Sequence, residues 1–430
     1  MNARRQRAVT GSARESLSIA EARALATIAS RLDRRPRLSA DPATQQQRLI
    51  ETVRALGCVQ LDTISVVSRS HETVLWSRIG AYDPAVLASL HYPGGLVTEY
   101  WAHAAAIIPV ESFPYFRDAM DDYRAKYGQH AWVRENAIVI DDVLTRLRDN
   151  GPLASRHFER PDGPRPEAWT WYGGKPARQA LDHLWSSGDI MVLRRESGFQ
   201  RVYDITERVI PAEALEWRPS PEERRRYFST RALRALGVST SRWVADYFRT
   251  WAQPHSPARI SQQALAELET DGLAIPVQIE GITEPTWMDA ALLPRLADLR
   301  AGRGKPTLTT FLSPFDNLIW HRGRMADLWN VHYRIEVYTP AHKRQFGYYT
   351  MPILHRGRLV GRIDPSLDRK ARLLTIRGIF LEQGERPTES LASSVAAALR
   401  DFARFLEAEE ITVLAGEPAE FPAMTINALG

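Results

Sequence analysis

One cysteine, Cys58, stands among 430 residues. An intramolecular disulfide and a multi-cysteine zinc site are therefore excluded, and a reducing, cytoplasmic compartment fits. Lysine is almost as scarce. Lys126, Lys175, Lys305, Lys343 and Lys370 are the full set, which leaves few candidates for Schiff-base chemistry. No apolar run approaches the roughly 18 to 20 residues that span a bilayer, so no membrane segment is expected. The start carries Arg4, Arg5, Arg7 and Arg14 but no apolar stretch behind them. It reads as a loose basic tail over residues 1–15 rather than a signal peptide. HExxH, GxSxG and EF-hand signatures are missing. Gly173-Gly174-Lys175-Pro176 lacks the Walker spacing and its Ser/Thr. No metal or cofactor is expected.

What is present belongs to an ordinary globular chain, 44% apolar and 25% charged. Its length suggests about three domains. The net charge of +5 is small, but it is unevenly spread. Between Arg303 and Arg377 fourteen Lys/Arg face five Asp/Glu, so the remainder is net negative. The same stretch holds Trp320, Trp329, Tyr333, Tyr338, Phe346, Tyr348 and Tyr349. Clustered positive charge interleaved with aromatics suits a polyanion such as nucleic acid, because each neutralised phosphate releases condensed counterions. A solvated basic face is the plainer alternative. Gly302-Arg303-Gly304-Lys305-Pro306 reads as a linker.

Periodicity predicts an α+β chain of repeated units. Residues 18–32 and 44–56 read as helices, with Gly57 as the residue that ends the second. Residues 58–62 read as extended, 66–79 and 83–90 as helices, and 96–100 with 104–108 as a hairpin. Three helices and a hairpin make a winged-helix arrangement. A second copy runs through helices at 139–149, a short one opened by 151–153, and 175–187 to a hairpin of 189–193 with 200–205, whose tip carries Arg194, Arg195 and Arg201. A third has helices within 231–269 and a hairpin of 273–279 with 284–288. That hairpin bears Glu280 and Glu284 and no base, which suits a scaffold better than a groove reader. Strands are expected at 334–337, 347–354, 358–363 and 373–380, and an amphipathic helix over 389–410. The domain reading is thus a tail (1–15), three tandem winged-helix modules (16–125, 126–215, 216–302), and a basic, mostly β element with a terminal helix (303–430).

Gly57-Cys58-Val59-Gln60-Leu61-Asp62 carries the most chemistry. In an extended chain residues two apart face the same way, so Gln60 and Asp62 share a face while Leu61 turns inward. On a helix they would diverge by about 200°. A carboxylate beside an amide can stabilise a cationic centre and take a proton from water while the amide places that water. Equally, Asp62 could simply cap a helix following Thr63.

Residues 56–62, with Val67-Ser68-Arg69-Ser70-His71 and Leu75-Trp76-Ser77-Arg78, resemble the crosslink-repair DNA glycosylases of the AlkZ/YcaQ-like family. So do Glu99-Tyr100-Trp101-Ala102-His103, Ser313-Pro314-Phe315-Asp316-Asn317-Leu318-Ile319-Trp320 and Tyr338-Thr339-Pro340-Ala341-His342-Lys343-Arg344. The likeness extends over most of the chain beyond the first fifteen or so residues. Its glutamine-apolar-aspartate motif is similar to the YcaQ-like branch, where the AlkZ branch has a second glutamine. The resemblance implies tandem winged helices, consistent with the repeat. It also implies a monofunctional glycosylase of the bacterial cytoplasm that hydrolyses N7-alkylguanine and unhooks nitrogen-mustard-type interstrand crosslinks. Its partner would be double-stranded DNA carrying those lesions, and the enzyme would be monomeric and nucleoid-associated when bound.

Under that reading Gln60 and Asp62 are catalytic. Arg69, His71, Trp101 and His103 are candidate DNA or active-site contacts, each also readable as structural. Arg194, Arg195, Arg201, Lys343, Arg344, Arg356 and Arg358 are candidate DNA contacts, the last four for phosphates, against the alternative of solvated charges. Two rival functions remain: a winged-helix transcription regulator without catalysis, and a non-catalytic protein that binds lesions in DNA.

Overall fold

The computed structural model describes residues 15–158, 176–249 and 257–430. The tail up to residue 14 and Gly173-Gly174-Lys175 lie outside them. Among the described residues helix and strand are mixed along the chain, as the patterning predicts, and four sheets organise it.

The first sheet orders Val59–Gln60, Ala105–Pro109 and Val97–Trp101, behind helices Pro42–Leu56, Ser70–Ile79 and Pro84–His91. The second orders Leu153–Ala154, Gln200–Ile205 and Ile190–Glu196, behind helices Ala137–Asn150 and Pro176–Ser186. The third combines Ala274–Ile279, Thr286–Asp289 and Val238–Thr240 with Glu15–Leu17, which runs parallel to Ala274–Ile279. Glu15 therefore belongs to a strand and not to a tail, and the N-terminal strand is added to a sheet more than two hundred residues away. The fourth sheet has six strands, centred on Met351–His355, Arg358–Asp368 and Leu373–Leu381.

Local chemistry sets the ends of the helix before the Gln60 strand. Asp41 accepts the Thr44 amide at 2.9 Å, with Pro42 in the first turn, an arrangement that satisfies an orphan donor. Gly57 ends it in the left-handed region at φ +74°, where a Cβ would lie 2.9 Å from the Phe248 ring. Both backbone and space there require glycine.

Four expectations are corrected. The helix expected from 66 begins at Ser70, because the Glu72 carboxylate takes the Arg69 amide at 2.9 Å and closes the end there. Residues 153–158 form a short strand and a 3₁₀ turn instead of a helix. Residues 334–337 are irregular: Glu336 accepts the amides of Gln345, Phe346 and Gly347, so the segment closes a loop instead of joining a ladder. The helix expected to 410 ends at Phe405. A strand, Glu410–Val413, then runs parallel to Leu373–Leu381, and a second helix, Glu420–Leu429, follows.

Two apolar cores form. One joins the N-terminal helix to the second and third sheets and to residues 308–333. The other buries helices Pro42–Leu56 and Ser70–Ile79 against the six-stranded sheet and helix Glu389–Phe405, with Trp76 packed on Phe311, Phe402 and Phe405. Cys58 belongs to the first core, Val59 and Leu61 to the second. The Gln60–Asp62 segment thus crosses the seam between them.

Candidate active site

Burial alternates along that segment. Val59 and Leu61 are buried, whereas Gln60 and Asp62 are half-buried, the alternation of an extended strand with one face in the core. Val59 and Gln60 pair with Ile107 and Ala106, and the Leu61 amide continues the ladder to the Ala105 carbonyl at 2.8 Å. The Asp62 carboxylate accepts the Ile64 amide at 2.8 Å through one oxygen. It therefore stabilises a turn, as the capping alternative anticipated, but no helix follows: residues 63–69 form a loop. Its second oxygen makes no hydrogen bond among the described residues. One carboxylate oxygen fixed by a backbone amide and one available is a geometry able to accept a proton from water.

The strand is braced from distant sequence. Asn317 donates its Nδ2 to the Cys58 carbonyl at 2.9 Å and to the Tyr247 hydroxyl at 2.8 Å, and Tyr247 donates to the Leu56 carbonyl at 2.8 Å. Ser70 donates to the Gln60 carbonyl at 3.1 Å. Beside Asn317, Asp316 accepts both Arg78 nitrogens at 2.7 and 3.0 Å, each side chain fully buried. Tyr349 is fully buried, with Ser313 beside its hydroxyl. Burial and then the negative charge of Asp62 push its pKa up. It lies in the bend before strand Met351–His355, just past Gly347, where a Cβ would fall 2.2 Å from Asp364 Oδ2.

The remaining predicted residues are scattered by the fold. Arg69 lies at the end of the Asp62 loop, donating to the Thr63 carbonyl at 3.0 Å and stacking its guanidinium 4.1 Å over the Phe199 ring. His71 is buried and stacked on Phe199 at 5.4 Å, with Nδ1 unpartnered among the described residues. His103 stacks on Trp320 at 4.0 Å and bonds the Asp246 carbonyl at 2.9 Å. A carbonyl only accepts, so Nδ1 carries the proton. Trp101 is half-exposed, its indole donating to Ser186 at 3.3 Å.

The basic hairpin tip is the largest surprise. Arg195 donates two nitrogens to the buried Glu99 at 2.7 and 2.6 Å, and Arg201 lies 3.7 Å from the same carboxylate. Arg194 pairs with Glu196. Burial by itself would raise the Glu99 pKa, but Arg195, His91 and Arg201 more than offset it and hold it below the ordinary glutamate value. At the tip, Phe199 is clasped between the guanidiniums of Arg195 (3.7 Å) and Arg69. The hairpin is docked on the loop beside Asp62.

Lys343 is exposed, and Arg344 donates to the Thr339 carbonyl at 2.9 Å. Arg356 is exposed in a turn, and Arg358 pairs with Glu385. Arg358 begins strand Arg358–Asp368, whose ten steps at about 3.3 Å carry the chain roughly 33 Å to the end whose turn reaches the Asp62 loop through Arg369. Tyr349 and Arg369 were missed by sequence reasoning. A tyrosine in a counted aromatic tract and an arginine in a counted basic one carried no sign of which position they would reach.

Burial lowers the pKa of both His71 and His103 from 6.5 to about 4. Between those values the unfolded chain binds protons that the folded chain refuses, so stability should fall as pH drops through about 6.5 towards 4. Urea unfolding midpoints across that window check this. His71→Leu should flatten the slope; an undiminished slope would mean that other groups carry it.

Half-buried Gln60 and Asp62, an open carboxylate oxygen and a brace drawn from the far end of the chain define a site suited to hydrolysis at a cationic centre. Residues 53–405 match the family described as DNA glycosylase AlkZ-like, and the chain belongs to that family. It is thus a DNA glycosylase. Among solved structures it is similar to Streptomyces sahachiroi DNA glycosylase AlkZ, with a TM-score of 0.57 and 15% identity, covering 93% of this chain and 99% of that one. That likeness is one of fold. No helix among the described residues is long and apolar enough to cross a membrane.

Proposed function

We propose that this glycosylase hydrolyses the N-glycosidic bond of N7-alkylated guanine and unhooks nitrogen-mustard-type interstrand crosslinks. The observation that carries this is the alternating burial that leaves Gln60 and Asp62 half-buried between buried neighbours, in a chain of the DNA glycosylase family, along a segment whose backbone is braced from both sides.

Alkylation at N7 makes the purine cationic, so it departs as a neutral base without being protonated. The C1′–N9 bond breaks with its electron pair going to the base, leaving an oxocarbenium-like sugar. Asp62 stabilises that charge and accepts a proton from the attacking water, which Gln60 places. The water oxygen bonds to C1′, leaving an abasic sugar. A base tethered to the opposite strand cannot swing into a closed pocket, so a partly exposed motif suits a crosslink.

The three units are read as winged helices over 16–125, 126–215 and 216–302, with the β element at 303–430, acting as a monomer on double-stranded DNA. Arg69, Trp101, Lys343, Arg344 and Arg356 are proposed to face DNA. Arg195, Arg201, His71 and His103 are proposed to serve the fold, given their protein partners.

The test is incubation with duplex bearing N7-methylguanine or a nitrogen-mustard crosslink. Released base and sites cut by alkali are expected. A protein that binds these duplexes but releases nothing would be a lesion binder, and the assignment would fail. Strand scission should require the alkali. Scission without it would contradict a monofunctional enzyme and would point to Lys370, in the turn that the fold brings to the Asp62 loop.

A further inference from the structure

Two arginines far apart in sequence grip the loop that follows Asp62. Arg69 donates Nη1 to the Thr63 carbonyl at 3.0 Å, and Arg369 donates Nη2 to the Val67 carbonyl at 2.9 Å. Arg369 occupies the turn between strands Arg358–Asp368 and Leu373–Leu381 and is exposed, as are Thr63 and Ser65 on the loop itself. Thr63 is the residue next to Asp62, about 3.8 Å away along the backbone.

Three neighbouring arginines are neutralised. Arg195 and Arg201 share Glu99, and Arg372 pairs with Glu409. Arg69 and Arg369, by contrast, have no carboxylate within ion-pair distance among the described residues. Burial disfavours the Arg69 charge, Glu72 attracts it, and Arg195 and Arg369 repel it, while the fold holds Arg69 over the Phe199 ring. Each guanidinium offers five N–H donors, of which the carbonyls use one apiece. Two cations held towards one exposed loop, with spare donors and no ion-paired carboxylate among the described residues, are arranged for an outside anion. The fork of each guanidinium matches phosphate oxygens.

We propose that Arg69 and Arg369 form a two-armed seat for a single phosphodiester flanking the nucleotide whose sugar faces Asp62. This rests on the reading of Asp62 given above. Phosphate contacts fix register without reading sequence. An enzyme that cannot draw a tethered base into a pocket needs its register from the backbone, so that C1′ is set against the carboxylate.

The test is equilibrium binding to a duplex with one N7-methylguanine on a 2′-fluoro sugar that blocks base loss. Single phosphates around the lesion are replaced in turn by neutral methylphosphonate. Wild type should lose about tenfold in affinity at one flanking linkage, the scale of one charge-assisted contact, and little elsewhere. Arg369→Ala should lose about the same on unmodified backbone, show no further loss at that linkage, and have its salt slope reduced by about 0.9. Arg369→Lys should recover part of the affinity.

A flat methylphosphonate scan with wild type would overturn the seat, as would an Arg369→Ala variant that still feels the flanking substitution. Because no bond is cleaved, the result separates from that of catalysis. A positive scan with no base release from the ordinary substrate would keep the seat and sink the role of Asp62. Base release with a flat scan would do the reverse.

Discussion

Asp62→Asn should release N7-alkylguanine at least a hundredfold more slowly than wild type while binding the same duplex equally well. The substitution keeps the shape and one carbonyl oxygen, so the turn to the Ile64 amide can survive. What it removes is the negative charge and the basic oxygen. A positioned base is worth about 10²–10⁴ in rate, and a hundredfold corresponds to about 2.7 kcal/mol of transition-state stabilisation. Single-turnover release of labelled base, alongside equilibrium binding, checks both halves. Normal release by the variant would move catalysis away from this carboxylate whatever the family. Gln60→Ala should lose less, because an amide that orients water carries no charge to the sugar.

The second large effect is on stability. Arg78 and Asp316 meet in two hydrogen bonds with neither side chain exposed. Asp316→Ala would leave a buried guanidinium without its counter-charge, and removal of one partner from such a pair costs about 3–5 kcal/mol. Urea unfolding should show that loss as a lowered midpoint, followed by tryptophan fluorescence. Arg78→Leu combined with Asp316→Leu should recover much of it, since neither charge is then stranded. A single variant as stable as wild type would mean that water reaches the pair. Asp316 adjoins Asn317, which holds the Cys58 carbonyl, so a damaged pair should slow base release as well as weaken the fold.

Local periodicity carried much of the architecture. The helices ending at Gly57 and Ile79, the hairpin of Val97–Trp101 with Ala105–Pro109, and the strands around 351–380 were legible, because each element shows its period within its own few residues. Elements failed where a distant or capping partner decided the matter. Glu336 closed a loop where apolar alternation suggested a strand, and Glu15 joined a sheet formed by residues 274–279. The Arg194–Arg201 tip read as an open basic surface because its acid, Glu99, lies almost a hundred residues earlier, on another sheet.

By itself, then, the sequence predicted that Gln60 and Asp62 share a face, and it showed that the chain alternates helices with hairpins. Both are consequences of backbone geometry acting between near neighbours. Only the tertiary structure decided which arginines are spent on acids and which stay unpaired, that Tyr349 and Arg369 reach the Asp62 loop, and that Asn317 steadies the strand before it. Those pairings follow from how two cores pack across a seam. Burial selects such partners by complementary shape and charge, without leaving a repeat in either segment.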